Sequence, residues 1–302
     1  MRTIAIVTDS SSALPDSLLQ QMTQAGGFLQ LELPVMIGER PTHDLSREQL
    51  DEAIAMAHIQ GEQVSTSGVA PGVLIDAYEE LAAQGFQAVI SIHLSSELSG
   101  TVSAARLAAR TVDIPVAVVD SLSLAMGLGE PVRRLYQVLS VEDDLERAAA
   151  LAEELCAGAS LYFFIPTLDA LKRGGRVNPA LAMVGQMFQI RPVATVVDGR
   201  LMYVERPRTT PRAIERLISL TVEESGSRDG ELPEEVVFSS GDQQELFRRS
   251  GRVVAIHYSG NVEQAHQLKA DLGDIADEAY LSPLPPVLAA HAGLGALATV
   301  VY

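Results

Sequence analysis

Ile4-Ala5-Ile6-Val7-Thr8-Asp9-Ser10-Ser11-Ser12 sets an unbroken apolar run directly against a turn of hydroxyls and a carboxylate. Four apolar residues in a row, without polar alternation, predict a strand buried on both faces, as in a parallel sheet covered by helices. The arrangement returns twice. Val89-Ile90-Ser91-Ile92 leads into Ser95-Ser96-Glu97-Leu98-Ser99-Gly100-Thr101, and Val116-Ala117-Val118-Val119 leads into Asp120-Ser121. Thr66-Ser67 stands just before a helix opening at Pro71. In open α/β sheets, ligands bind beyond the carboxyl ends of the strands. Helix N-termini there supply free N–H groups and a positive dipole end. Hydroxyls gathered at that edge point to a site for a small anion, a carboxylate or a phosphate. Each turn taken singly reads as an ordinary N-cap; several in one half of the chain favour a site.

Working outward, helices are expected near residues 15–24, 46–58, 71–84, 100–110 and 126–139, with a further strand over 29–37. Ser46 and Gln49 have capping-box spacing, and Pro71 suits a first helical turn. Alternating β and α units predict a parallel, Rossmann-like sheet. A charged, Ala-rich helix over 142–155 closes or leaves this unit. Beyond it come a strand over 161–165, a helical turn over 168–172, and a helix over 179–188. A hairpin over 193–205 follows, with Asp198-Gly199 as its turn. A helix over 212–223, a polar loop over 225–235, a strand over 253–258, a helix over 262–272 and a strand near 296–301 complete the reading. The expected fold class is α/β. An N-terminal parallel-sheet domain (1–158) carries the hydroxyl turns, and a C-terminal α+β domain with a mixed sheet (159–302) follows it.

Composition narrows the function. The chain has 302 residues, 47% of them hydrophobic, and a net charge of −17. Acidity of this size argues against phosphate-driven nucleic-acid binding and against a polybasic membrane anchor. The single Cys156 fits a reducing, cytoplasmic setting and reads as buried and inert, with Glu153 and Glu154 before it. The opening strand leaves no apolar leader region. The apolar stretch from Val287 to Tyr302 is too short to span a bilayer, so it reads as core and no integral membrane segment is expected. No glycine-rich nucleotide motif, nucleophile elbow or close metal-ligand spacing is present, so no cofactor and no metal are expected.

The motifs that are present resemble the DegV family, whose fatty-acid-binding members are called FakB. The resemblance runs the length of the chain. It comprises Val7-Thr8-Asp9-Ser10, Thr66-Ser67 with Pro71-Gly72, and Leu94 through Thr101. Asp120-Ser121 with Met126-Gly127-Leu128-Gly129 comes next, then Leu171-Lys172-Arg173-Gly174-Gly175-Arg176-Val177. The last matches are Ile190-Arg191-Pro192, Asp198-Gly199, the run from Arg208 to Ile214, Ile256-His257-Tyr258-Ser259-Gly260, and the run from His291 to Leu297.

The resemblance implies a non-catalytic protein that holds one long-chain fatty acid, such as palmitate or oleate, between two domains. It also implies a partner: a separate fatty acid kinase subunit that phosphorylates the presented carboxylate with ATP, feeding phospholipid synthesis. The family's head-group positions fall on Thr66, on Ser95, Ser96 and Ser99, and on His291. Arg176 matches a basic residue that either orients the head-group network or secures the domain interface; it reads equally as a surface Arg capping a helix. Arg208 matches the kinase-docking position and reads nearly as well as a solvated Arg before a helix. The helix bearing Leu181, Met183, Val184, Met187 and Phe188 has an apolar face suited to core packing and to an acyl chain.

The chain departs from the family pattern in places. Gly68-Val69-Ala70 stands where Gln-Pro-Ser is usual, Glu97 where Gly is common, and Leu294 where Pro is common. A negative charge beside a carboxylate site opposes binding, so Glu97 is expected to face solvent. The run from Arg208 to Arg212 is less basic than the family's partner-facing run. The alternative is a serine hydrolase pairing Ser96 or Ser99 with His291; it lacks a nucleophile elbow and a third group to orient the histidine.

Overall fold

A computed structural model describes residues 2–175, 190–227 and 252–302. The first half runs β1 (Ile4–Asp9), α1 (Asp16–Ala25), β2 (Phe28–Leu31), β3 (Val35–Ile37), β4 (Arg40–Pro41), α2 (Arg47–Gln60) and β5 (Val64–Thr66). It continues through α3 (Pro71–Ala83), β6 (Ala88–His93), α4 (Thr101–Ala109), β7 (Val116–Asp120), α5 (Met126–Val138) and α6 (Leu145–Ala157). Strands β2-β1-β6-β7 form a parallel sheet in that order. Every residue of β1 and of β6 is buried, in keeping with their apolar runs, which Ser91 breaks once in β6. The capping box of α2 forms: Ser46 Oγ accepts from the Gln49 N–H, and the Gln49 side chain accepts from the Ser46 N–H.

The single strand expected over 29–37 is two strands in two sheets. Pro34 has no N–H to give a ladder, and the chain turns there. β2 stays in the parallel sheet, while β3 pairs antiparallel with β4 and β5 in a small three-stranded sheet. That second sheet delivers Thr66, whose Cα partners Val35.

The second half contains β8 (Ser160–Phe164), α7 (Asp169–Arg173), β9 (Val193–Val197), β10 (Arg200–Glu205), α8 (Thr210–Ser227) and β11 (Val253–Tyr258). After these come α9 (Val262–Leu272), β12 (Glu278–Pro283), α10 (Pro286–Ala292) and β13 (Leu297–Val301). Its mixed sheet has the order β10-β9-β8-β13-β11-β12, antiparallel except for β11 and β12. The β9–β10 turn has positive φ at both Asp198 and Gly199, as a type I′ hairpin needs. α8 extends through Ser227, into what reads from sequence as loop. The expected helix over 179–188, with Met183 and Met187, lies outside the described residues.

Strand alternation divides the core of this sheet. Phe164, Val254, Ile256, Leu297 and Val301 pack with Ala213, Leu217 and Leu220 of α8 and Ala265 and Leu268 of α9. Leu161, Ala255, Ala298 and Val300 face the other way, into the cluster built on β1 and β6. The two halves therefore meet across the inner face of the mixed sheet.

Candidate functional site

Between the carboxyl ends of the parallel strands and that inner face lies a cavity with an empty volume of about 920 Å³, including its open mouth. From the first half come Leu33, Leu94, Leu98, Leu124 and Ala125. From the second come Leu161, Phe163 and Ile165 of the β8 region, Leu171, Leu201, Leu284, Val287, Leu288, Ala292, Ala296, Leu297 and Ala298. Among the described lining residues only Thr66, Ser67, Ser99 and His291 are polar, and none is an Asp, Glu, Lys or Arg.

His291 Nε2 lies 2.7 Å from Thr66 Oγ1. Its helix, α10, packs on α2, α7 and β5. His58 Nε2 stands 3.2 Å from the Ala289 carbonyl and ties α2 to α10. Burial is the main cause that lowers the His58 pKa, which suits a neutral ring donating to that carbonyl. At the end of α7, a Cβ on Gly174 would overlap the Nδ1 side of the His291 ring. Only glycine leaves the imidazole its place.

Ser99 opens α4. Its Oγ lies 2.9 Å from Thr101 Oγ1 and accepts from the Thr101 N–H, while Thr101 Oγ1 accepts from the Val69 N–H. A Cβ on Gly68 would sit 3.0 Å from Thr101 Oγ1 and 3.2 Å from Thr101 N. The glycine that departs from the family run thus lets the β5–α3 loop close on the start of α4.

The structure brings Thr66, Ser99 and His291 to one cavity and leaves Ser95 and Ser96 off its lining. Ser95 is buried, donating from Oγ to the Gly199 carbonyl at 2.8 Å. Ser96 is exposed, and its N–H donates to Asp120 Oδ1. The turn geometry sends these two side chains elsewhere, so of the three serines at the family's head-group positions only Ser99 lines the cavity. Glu97 is exposed, as expected, and pairs with Arg200 at 2.9 Å. Arg208 is exposed just before α8. Arg176 lies outside the described residues.

Sequence reasoning missed the role of Asp9. The turn after β1 is buried, and its hydroxyls bond within the protein instead of facing the cavity. Asp9 Oδ2 lies 2.9 Å from His93 Nδ1, and Ser91 Oγ lies 2.7 Å from both His93 Nε2 and Tyr78 OH. Ser91, His93 and Asp9 thus have the connectivity of a hydrolytic triad. All three are wholly buried and none lines the cavity. The one legible signal was the position of Asp9 and His93, each the last residue of a buried strand.

His257, on β11, ties the halves together. Its Nε2 accepts from the Met126 N–H at the start of α5, and its Nδ1 lies 3.1 Å from Ser282 Oγ. Burial pushes its pKa down to about 4. Burial likewise pushes the Cys156 thiol up to about 12, with Asp120 and Glu153 adding to the effect. Among the described residues no group of three or more His, Cys, Asp or Glu side chains could hold a metal ion. No described helix is long and apolar enough to cross a membrane.

A family model described as "Uncharacterised protein, DegV family" matches residues 3–302. The chain belongs to the DegV family. A DegV domain-containing protein of Streptomyces coelicolor is 31% identical over 99% of this chain and 98% of its own length. Two solved DegV structures superpose with a TM-score of 0.81, each covering 100% of this chain and 99% of the other. One is a DegV family protein of Thermus thermophilus described as binding fatty acid, at 28% identity. The other is DegV of Bacillus subtilis, described as a fatty acid binding protein, at 27% identity.

Proposed function

We propose that this protein is a non-catalytic carrier of one long-chain fatty acid, held between units 1–158 and 159–302. The observation that carries this reading is a cavity whose described lining is apolar apart from Thr66, Ser67, Ser99 and His291. An acyl chain needs apolar walls and a few fixed polar groups at one end. Thr66 and Ser99 supply neutral hydroxyl donors for the carboxylate, with Ser67 and His291 beside them. Neutral donors hold an anion without burying a full ion pair, and they release it when its charge changes.

We extend the reading to a cytoplasmic role beside an ATP-dependent fatty acid kinase that converts the presented carboxylate to an acyl-phosphate for phospholipid synthesis. Support comes from the family resemblance and the exposed Arg208, proposed as part of the kinase-docking face; Arg176 is proposed to assist near the head group. Weighing against the hydrolase alternative, His291 bonds Thr66, Ser99 bonds Thr101, and the Ser91–His93–Asp9 set is sealed from the cavity.

The test is solvent extraction of the purified protein followed by mass spectrometry. One stoichiometric fatty acid, lost from Thr66→Ala and Ser99→Ala proteins, is the expected result. A protein that carries no lipid and takes up neither palmitate nor oleate would overturn the proposal.

A further inference from the structure

We infer that Asp9 is the positioning residue of this site: the buried turn at the end of β1 holds three separate stretches of the cavity wall and sets its shape. The inference rests on the fatty-acid reading only for what the cavity holds.

Three hydrogen bonds carry it, each reaching a different wall segment. Ser10 Oγ accepts from the N–H of Leu33, after β2, at 3.0 Å. Asp9 Oδ2 accepts from the N–H of Leu94, after β6, at 3.1 Å. The Ser11 carbonyl accepts from the N–H of Ala125, after β7, at 2.8 Å. Leu33, Leu94 and Ala125 all line the cavity. Leu94 also begins the turn that ends at Ser99, and Ala125 stands at φ +53° at the mouth of α5. Three consecutive residues thus hold the loops that follow β2, β6 and β7, the other three strands of the parallel sheet.

Asp9 holds the turn itself. Its Oδ1 accepts from Ser11 N–H and Ser11 Oγ, while Oδ2 accepts from Leu94 N–H and His93 Nδ1–H. A carboxylate offers about four acceptor positions, and all are taken. Behind Asp9 the contacts continue from His93 to Ser91 Oγ and on to Tyr78 OH; a neutral His93 ring that donates from Nδ1 to Asp9 leaves Nε2 to accept from Ser91. Asparagine in this place would point an NH2 at two donors. A binding site needs its walls held to fractions of an ångström by such a supporting shell.

The experiment compares Asp9→Asn and Ser10→Ala with Thr221→Val, a control that breaks the buried Thr221–Thr299 hydrogen bond on the far face of the mixed sheet. Amide hydrogen exchange on ligand-free protein reads the order of the walls, and calorimetric titration with a series of saturated acids up to palmitate reads the site. Asp9→Asn is expected to speed exchange at Leu94 and Ala125, weaken palmitate about ten-fold and flatten the chain-length preference. Ser10→Ala, the milder change, is expected to speed exchange at Leu33 and weaken palmitate about three-fold. Thr221→Val should lower the melting temperature and leave affinity and preference alone. Folded Asp9→Asn protein with unchanged exchange at Leu94 and Ala125 would overturn the inference. If Asp9→Asn does not fold, unchanged exchange at Leu33 and an unchanged preference in Ser10→Ala would do so. Wild-type protein that binds no acid would sink the fatty-acid reading instead, and the exchange result would still decide the role of Asp9.

Discussion

His291 and Thr66 are 225 positions apart in the chain, yet their side chains stand 2.7 Å from one another at the polar corner of the cavity. The histidine comes on a short helix from the second half; the threonine comes at the end of a strand from the first. The corner exists only when both arrive.

Thr66→Val keeps the shape of the side chain and removes its hydroxyl. A hydrogen bond to a charged group is worth ~1.5–3 kcal/mol, so palmitate affinity should fall about ten-fold or more, with Thr66→Ser retaining most of it. Calorimetric titration checks this. Equal affinity for the valine protein would remove Thr66 from the head-group site.

Ser99 lines the cavity, while Ser96 faces solvent. Ser99→Ala should weaken fatty-acid binding, and Ser96→Ala should leave it unchanged, in parallel titrations. The reverse order would mean that the head group sits outside the cavity described above.

Stability should depend on pH through His257, whose imidazole falls from an ordinary 6.5 to about 4 on burial. Between those values the unfolded chain binds a proton that the folded protein does not. The contribution is therefore full above pH ~6.5, declines through the window, and levels off below about pH 4. The loss is of order 3 kcal/mol. Protonation also turns Nε2 from acceptor to donor against the Met126 N–H. Urea melts across this range should slope downward toward acid, and His257→Gln should lessen the slope.

A methyl group on Gly174 would press on the His291 ring. Gly174→Ala should displace the imidazole at a cost of ~1–3 kcal/mol and lower fatty-acid affinity with it. The ring resonances of His291 report the displacement by NMR. Unshifted resonances with unchanged affinity would mean that the α7 end relaxes instead.

Much of this fold was legible because its key strands are buried on both faces. β1, β6 and β11 appear in sequence as apolar runs, and Asp198-Gly199 marks its hairpin without tertiary help. β12 and α10 escaped notice for opposite reasons. β12 is an edge strand with exposed Glu278 and Ala279 and no alternation to read. α10 is apolar nearly all round, so it has no helical stripe to set it apart from the run that follows. At the site, Thr66, Ser99 and His291 stand at positions marked by the family resemblance. Ser95 and Ser96 differ from Ser99 only through the geometry of one turn. Asp9 looked like one more capping residue because its partner His93 lies 84 positions away.

The last strand of the chain, β13, is inserted between β8 and β11 in the interior of the mixed sheet. Half of that sheet, ending at Glu205, is made about ninety residues before the strand that joins it to the rest, which begins at Leu297. A chain cut short by its final six residues would keep nearly all its sequence and expose two bare strand edges, at β8 and at β11. Such edges recruit other chains. Loss of so small a piece should therefore show itself as aggregated protein, long before any question of what the protein binds.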